Sequence, residues 1–153
     1  DDGKCLSDDL ESLKNLILKF RETSSRVIVV KVSPDSSEEE VLKVCEILLN
    51  IPKTVINIGN SKYIKADSVG LTSKTFSKEG GGLSGKSLYS NTLKTVKLIS
   101  SKYDLPIIAT GGVSSYDNVK ELLDNGATLT GMATLLVSDP FQIPLINYRL
   151  SND

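Results

Sequence analysis

Pro106-Ile-Ile-Ala-Thr-Gly-Gly-Val-Ser-Ser115 is the stretch whose reading decides the fold. Its apolar run, Ile107 to Ala109, reads as a short buried parallel strand with both faces covered. The run enters Gly111-Gly112, and Ser114 and Ser115 then offer a cap for a helix in which Val119, Leu122 and Leu123 stand at helical spacing. Strand, glycine turn and capped helix are the parts with which α/β folds present backbone N–H groups to a phosphate. Glycine permits close approach, and the helix N-terminus adds unpaired donors with a favourable dipole. Paired glycines also make a tight βα turn with no ligand at all, and the pattern leaves both readings open.

Outward from this stretch the chain alternates. Leu10, Leu13, Ile17 and Phe20 predict an amphipathic helix over 8–23, with Ser7, Asp8 and Asp9 as capping candidates. Val27 to Val32 is nearly all β-branched and predicts a buried strand over 26–32 with Lys31 at its end. Ser33-Pro34-Asp35-Ser36 makes a turn, and Ser36 or Ser37 caps a helix with an acidic first turn, Glu38 to Glu40, and an apolar face of Val41, Leu42, Val44, Cys45, Leu48 and Leu49. A strand over 53–58 follows and is broken by Gly59-Asn60. Residues 60–89 read as one long polar loop containing Gly80-Gly81-Gly82-Leu83-Ser84-Gly85-Lys86, a length that compact domains seldom carry without a purpose. Beyond it come a helix over 90–102, the strand over 106–110, a helix over 115–125 stopped by Asn125-Gly126, a strand over 128–132 and a last helical stretch punctuated by Pro140 and Pro144.

Composition narrows the chemistry. The chain has 153 residues, one ordinary domain, and a net charge of −1, which recommends neither nucleic acid nor an anionic membrane as partner. It has no histidine, which removes His-based triads, His-ligated metals and the commonest general base. Cys5 and Cys45 are the two cysteines; Cys45, on the apolar face of a helix, reads as a buried structural thiol rather than part of a disulfide framework. No apolar run reaches the length of a membrane span, and no signal peptide opens the chain.

Four strands alternating with helices predict a parallel sheet with right-handed crossovers. Either a small doubly wound sheet or part of a (β/α)8 barrel satisfies the pattern, and both bind ligands at the carboxyl ends of their strands. Lys31, Asn57, Ser84-Gly85, Gly111-Gly112 and Thr134 all fall at such ends or beyond them.

Val29-Val-Lys-Val-Ser-Pro-Asp35, Gly81-Gly-Leu-Ser-Gly-Lys86, Pro106 to Ser115 and Asn125-Gly-Ala127, in this order, resemble dihydroorotate dehydrogenase, most closely its class 2, membrane-associated, quinone-reducing branch. The similarity runs over roughly residues 10–145 and falls on the C-terminal half of that enzyme, strands five to eight of its TIM barrel. It implies a parallel (β/α) half-barrel, flavin mononucleotide (FMN) as cofactor, an oxidoreductase of pyrimidine biosynthesis and, in eukaryotes, a mitochondrial location. Lys31 matches the lysine that contacts the flavin ring system, where a fixed ammonium stabilises negative charge on reduced flavin. Ser84 and Gly85 match a loop that packs on the flavin by its backbone. Gly111 and Gly112 match the phosphate-binding turn, and Thr134 matches a hydroxyl that caps the same phosphate. Asn57 completes the cofactor-binding set. Without the resemblance, Lys31 reads as a surface lysine at a strand end and Thr134 as an ordinary helix cap.

The chain also departs from that family. Where the family has Thr-Asn-Thr-Thr after the sixth strand, this chain has Asn57-Ile58-Gly59-Asn60. The orotate-holding asparagine is thereby replaced by Ile58, unless the register slips by one and Asn57 takes its place. Ala133 stands where the family has a tyrosine. The resemblance also implies that the catalytic base, a serine in class 2, belongs to an N-terminal half that these residues do not match. Three functions are consistent with this: a fragment of an active flavin oxidoreductase, not catalytically complete by itself; a degenerate relative that still binds a flavin or another phosphate ligand; or an inactive half-barrel serving as a structural or interaction module. Four strands cannot close a barrel, so the apolar inner face requires cover from the missing N-terminal half, a second copy or another protein chain.

Overall fold

The computed structural model describes residues 9–72 and 77–153; Cys5, Ser7 and Asp8 lie outside the described residues. Helix α1 (Leu10–Thr23) begins at Asp9, whose carboxylate accepts a hydrogen bond from the Ser12 N–H at 3.0 Å, and it buries Leu13 and Ile17. Strand β1 (Ile28–Val32) leads through the Ser33–Ser36 turn into α2 (Glu38–Leu49). Ser37 and Glu40 close a reciprocal capping box there, satisfying two donors that the first turn leaves without partners. Strand β2 (Thr54–Ile58) follows. After a ribbon of β3 (Lys62–Lys65) and β4 (Gly80–Leu83) come α3 (Tyr89–Ser100), β5 (Ile107–Thr110), α4 (Tyr116–Asp124), β6 (Leu129–Gly131), α5 (Ala133–Ser138) and α6 (Gln142–Leu150).

Strands β1, β2, β5 and β6 form one sheet in that spatial order, each pair parallel. Chain order and spatial order coincide, as in successive βα units of a barrel wall, and among the described residues no antiparallel strand interrupts the sheet. The sheet is an open half-barrel. Its helix-facing side holds the core: Val30 and Val32 of β1, Ile56 and Ile58 of β2, and Ile107 and Ala109 of β5 pack on Val41, Val44 and Leu48 of α2, Val96 and Ile99 of α3, and Val119 and Leu122 of α4. Cys45 lies in this core, and burial pushes its thiol up to about 12, so it is packing rather than a nucleophile.

The other side of the sheet differs from the expectation of strands covered on both faces. Side chains alternate along a strand, so Val29 and Lys31 of β1 point away from the helices, and Val29 is 49 % exposed while Leu129 of β6 is 59 % exposed. The two covered faces expected of Ile107 to Ala109 are not found, since four strands supply helices to one face only, and the inner face stays open as a four-stranded half-barrel requires.

The second difference lies within 60–89. The long polar loop contains an antiparallel ribbon, with Tyr63 opposite Gly82 and Lys65 opposite Gly80, followed by a 3-10 turn at Lys86–Leu88 before α3. Three successive glycines have poor strand propensity, but here they serve close approach: a Cβ on Gly80 would run into the Tyr63 ring, and one on Gly82 into Ser61. At the chain's end, Pro144 falls in the first turn of α6, where its missing N–H costs nothing, and the Arg149 guanidinium stacks 3.8 Å from the centre of the Tyr116 ring.

Candidate functional site

The carboxyl ends of the four parallel strands lie along one rim. Lys31 and Asn57 are direct cross-strand partners there, and Asn57 is in turn the partner of Ile108. All three belong to the open side of the sheet. The Lys31 ammonium has no carboxylate partner among the described residues. Asn57 Oδ1 is buried and accepts no hydrogen bond among the described residues, an unmet demand of a kind that folded proteins rarely leave in place. Ile58, by contrast, is 2 % exposed and packed among the core residues on the helix side. Of the two alternatives that the sequence leaves open, the rim position falls to Asn57 rather than Ile58. Strand alternation turns Ile58 away from the rim face and turns Asn57 onto it.

At the other end of the rim, Gly85, Gly112 and Thr134 line a single cavity of about 280 Å³ together with Lys86, Val113 and Ser114. Three far-separated stretches thus converge: the end of the ribbon, the β5–α4 turn and the first turn of α5. Gly111 and Gly112 have φ of 123° and 75°, and their N–H groups donate to no acceptor among the described residues. The buried Thr92 hydroxyl donates to the Gly111 carbonyl at 2.9 Å, which fixes the turn against α3. Gly112 is required by the fold as well as by any ligand, because a Cβ there would strike the backbone of Tyr89. Ser115 caps α4 through the Asn118 N–H at 3.2 Å, while Ser114 bonds the Asn118 side chain.

Thr134 is not a helix cap. Met132 holds that position on α5 without a side-chain bond, and Thr134 is the second residue of the helix, its methyl 3.8 Å from where a Cβ on Gly85 would sit. Ser84 is exposed at the end of β4. Asp139 is the carboxylate of the cavity wall, and it accepts from Gln142 Nε2 at 3.2 Å. Lys86 and Ser114 join the site only in three dimensions. In the sequence Lys86 closes the Gly81–Lys86 motif and Ser114 is a cap candidate two residues after Gly112, so neither is marked there as a ligand contact.

The arrangement offers unpartnered N–H groups, a hydroxyl and a lysine around one cavity, and a cation beside an acceptor-bearing amide along the same rim. The first group suits a phosphate and the second a polar ring carrying N–H donors. Among the described residues no cluster of side chains suits a metal ion, and no helix is long and apolar enough to cross a membrane.

Comparison with known proteins gives one result throughout. The family model for dihydroorotate dehydrogenase matches residues 3–152. The quinone-type dihydroorotate dehydrogenase of Actinobacillus pleuropneumoniae serotype 7 is 33 % identical over 88 % of this chain and 41 % of its own length. That of Pseudarthrobacter chlorophenolicus is 29 % identical over 97 % of this chain and 44 % of its own. The mitochondrial quinone-type enzyme of Schizosaccharomyces pombe is 32 % identical over 82 % of this chain and 28 % of its own. The chain therefore spans less than half the length of these relatives. The crystal structure of the Eimeria tenella protein in complex with ferulenol superposes with a TM-score of 0.71 at 20 % identity, over 96 % of this chain and 43 % of that one, a likeness of fold.

Proposed function

This chain belongs to the dihydroorotate dehydrogenase family, and from that premise we propose that it is the cofactor-holding half of an FMN-dependent oxidoreductase of pyrimidine biosynthesis, incomplete as a catalyst by itself. The observation that carries the reading is the convergence of Gly85, Gly112 and Thr134 on one cavity of about 280 Å³ at the carboxyl ends of parallel strands. When bound, FMN supplies the two-electron acceptor that protein side chains lack.

The residues fit that group. The N–H groups of Gly111 and Gly112 and the Thr134 hydroxyl hold the phosphate as donors, with Lys86 adding positive charge. The orphaned Asn57 Oδ1 would be available to a donor on the ring system, which would relieve a buried unmet acceptor. The Lys31 ammonium, next to Asn57 in register, favours negative charge on the ring system. None of these groups is suited to accept the substrate proton. That role, and the cover for the open face, falls to a partner carrying the complementary four strands. By analogy with the fission-yeast relative, a eukaryotic source would place the complete protein in the mitochondrion.

Titration of FMN with the purified chain, read by flavin fluorescence, tests the proposal. The expected result is saturable quenching that inorganic phosphate reverses. Lys31→Ala should weaken FMN about tenfold, the loss of one interaction to a charged group, while leaving phosphate competition unchanged. Absence of any quenching by the unaltered chain would leave an inactive structural half-barrel as the better reading.

A further inference from the structure

Among the described residues, the ribbon that delivers Ser84-Gly85 to the cavity meets the body of the protein at its root, at its exit and at one hydrogen bond between them. At its root Gly59 packs directly on the carbonyl of Thr110, at the end of β5. At its exit Gly85 lies beside Thr134. Between these points, the backbone N–H of Tyr63 donates to the carboxylate Oδ2 of Asp35 at 3.0 Å, joining β3 to the β1–α2 turn. Asp35 is itself fixed in place. Its own N–H donates to Ser33 Oγ at 3.1 Å, inside a turn closed by Ser36 N–H to the Ser33 carbonyl at 3.2 Å. Tyr63 opposes Gly82 in the ribbon, so whatever fixes Tyr63 also fixes the strand that ends at Ser84-Gly85.

We propose that Asp35 is a positioning residue: its hydrogen bond to the Tyr63 N–H fixes the β3–β4 ribbon over the β1 end of the rim and so sets the Gly85 wall of the phosphate cavity. The ligand consequence rests on the reading of that cavity given under Proposed function; the clamp itself does not. A carboxylate accepting from a backbone N–H is stronger than a neutral pair, and paired strands transmit the loss of such an anchor from one to the other. The neighbouring Lys31 and the Asp35 clamp share one strand and its turn, which links the ring end of the site to the phosphate end.

Amide hydrogen exchange and FMN titration on the full chain, comparing Asp35→Ala and Asp35→Asn, test this. Asparagine keeps an acceptor oxygen and alanine keeps none. Asp35→Ala should speed exchange at residues 62–65 and 80–83 about tenfold, leave Ile56 and Ile107 unchanged as evidence of an intact core, and weaken FMN about as much. Asp35→Asn should restore both to within about threefold. Unchanged ribbon exchange in Asp35→Ala, or an Asn variant as poor as Ala, would overturn the clamp. If the unaltered chain binds no FMN, the functional reading fails, and the exchange comparison alone decides the clamp.

Discussion

Gly112 carries two demands at once, and they can be separated. Its left-handed backbone disfavours any side chain by about 1–2 kcal/mol, and a Cβ also meets the Tyr89 backbone. Gly112→Ala should therefore lower the denaturation midpoint even without ligand, whereas Thr134→Val, at an exposed site, should leave stability unchanged and cost about 0.5–1.5 kcal/mol of phosphate affinity. Tyr89 itself offers a pH test. Burial, with the Glu121 carboxylate 2.6 Å from its hydroxyl, raises the phenol from 10.0 to about 12. A group whose folded pKa lies above its unfolded value stabilises the fold fully below the unfolded pKa, and that contribution is lost as pH rises through the folded one. Stability should thus fall between pH 10 and about 12, and Tyr89→Phe should remove part of that slope, leaving the parts due to Cys45 and to Tyr103, whose phenol burial also pushes up. Urea midpoints measured across that range check the sign. At this scale the sequence alone leaves one alternative open: Ile58 and Asn57 are adjacent, and strand pairing decides which of them faces the rim.

Elements were legible where one local signal sufficed. The capping box at Ser37 and Glu40, the apolar stripe of α2 and the Ser115 cap of α4 are written within a few residues each, and the structure has them there. The β3–β4 ribbon was not legible, because its strands are separated by a long insertion and one of them is mostly glycine. Its pairing depends on the fit of Gly80 and Gly82 around Tyr63 and Ser61, which no propensity records. Thr134 was likewise obscured, since the start of α5 is set by the end of β6 rather than by a capping side chain. Ser37→Ala should cost about 1 kcal/mol of stability, measurable as a lower midpoint in urea with unchanged slope.

The whole molecule is a wall with two free edges. Beside β1, an apolar groove of about 390 Å³ runs between α1 and the strand, lined by Leu13, Leu16, Phe20 and Val29. Towards β6, Leu129 is exposed, as are Leu136 and Val137 of α5, Phe141 at the head of α6 and Leu145 within it, with Val137 86 % exposed. Apolar surface at both edges and on the concave face suits one body that bridges them, a complementary half-barrel. In its absence the chain should self-associate, and sedimentation should show species above 16.5 kDa that shrink when the complementary half is added. A compact monomer with no affinity for that half would contradict this. The parallel order of strands was readable from alternation, and the open concave face from the count of four strands, which cannot close a barrel; what covers that face was not, because strand sequence does not name its neighbours. The most direct test of the central claim is hydrogen exchange at the amides of Gly111, Gly112 and Gly85, measured with FMN and with inorganic phosphate. Protection of Gly111 and Gly112 by both ligands is the predicted result. Exchange unchanged by either ligand would contradict a cofactor-holding half-barrel.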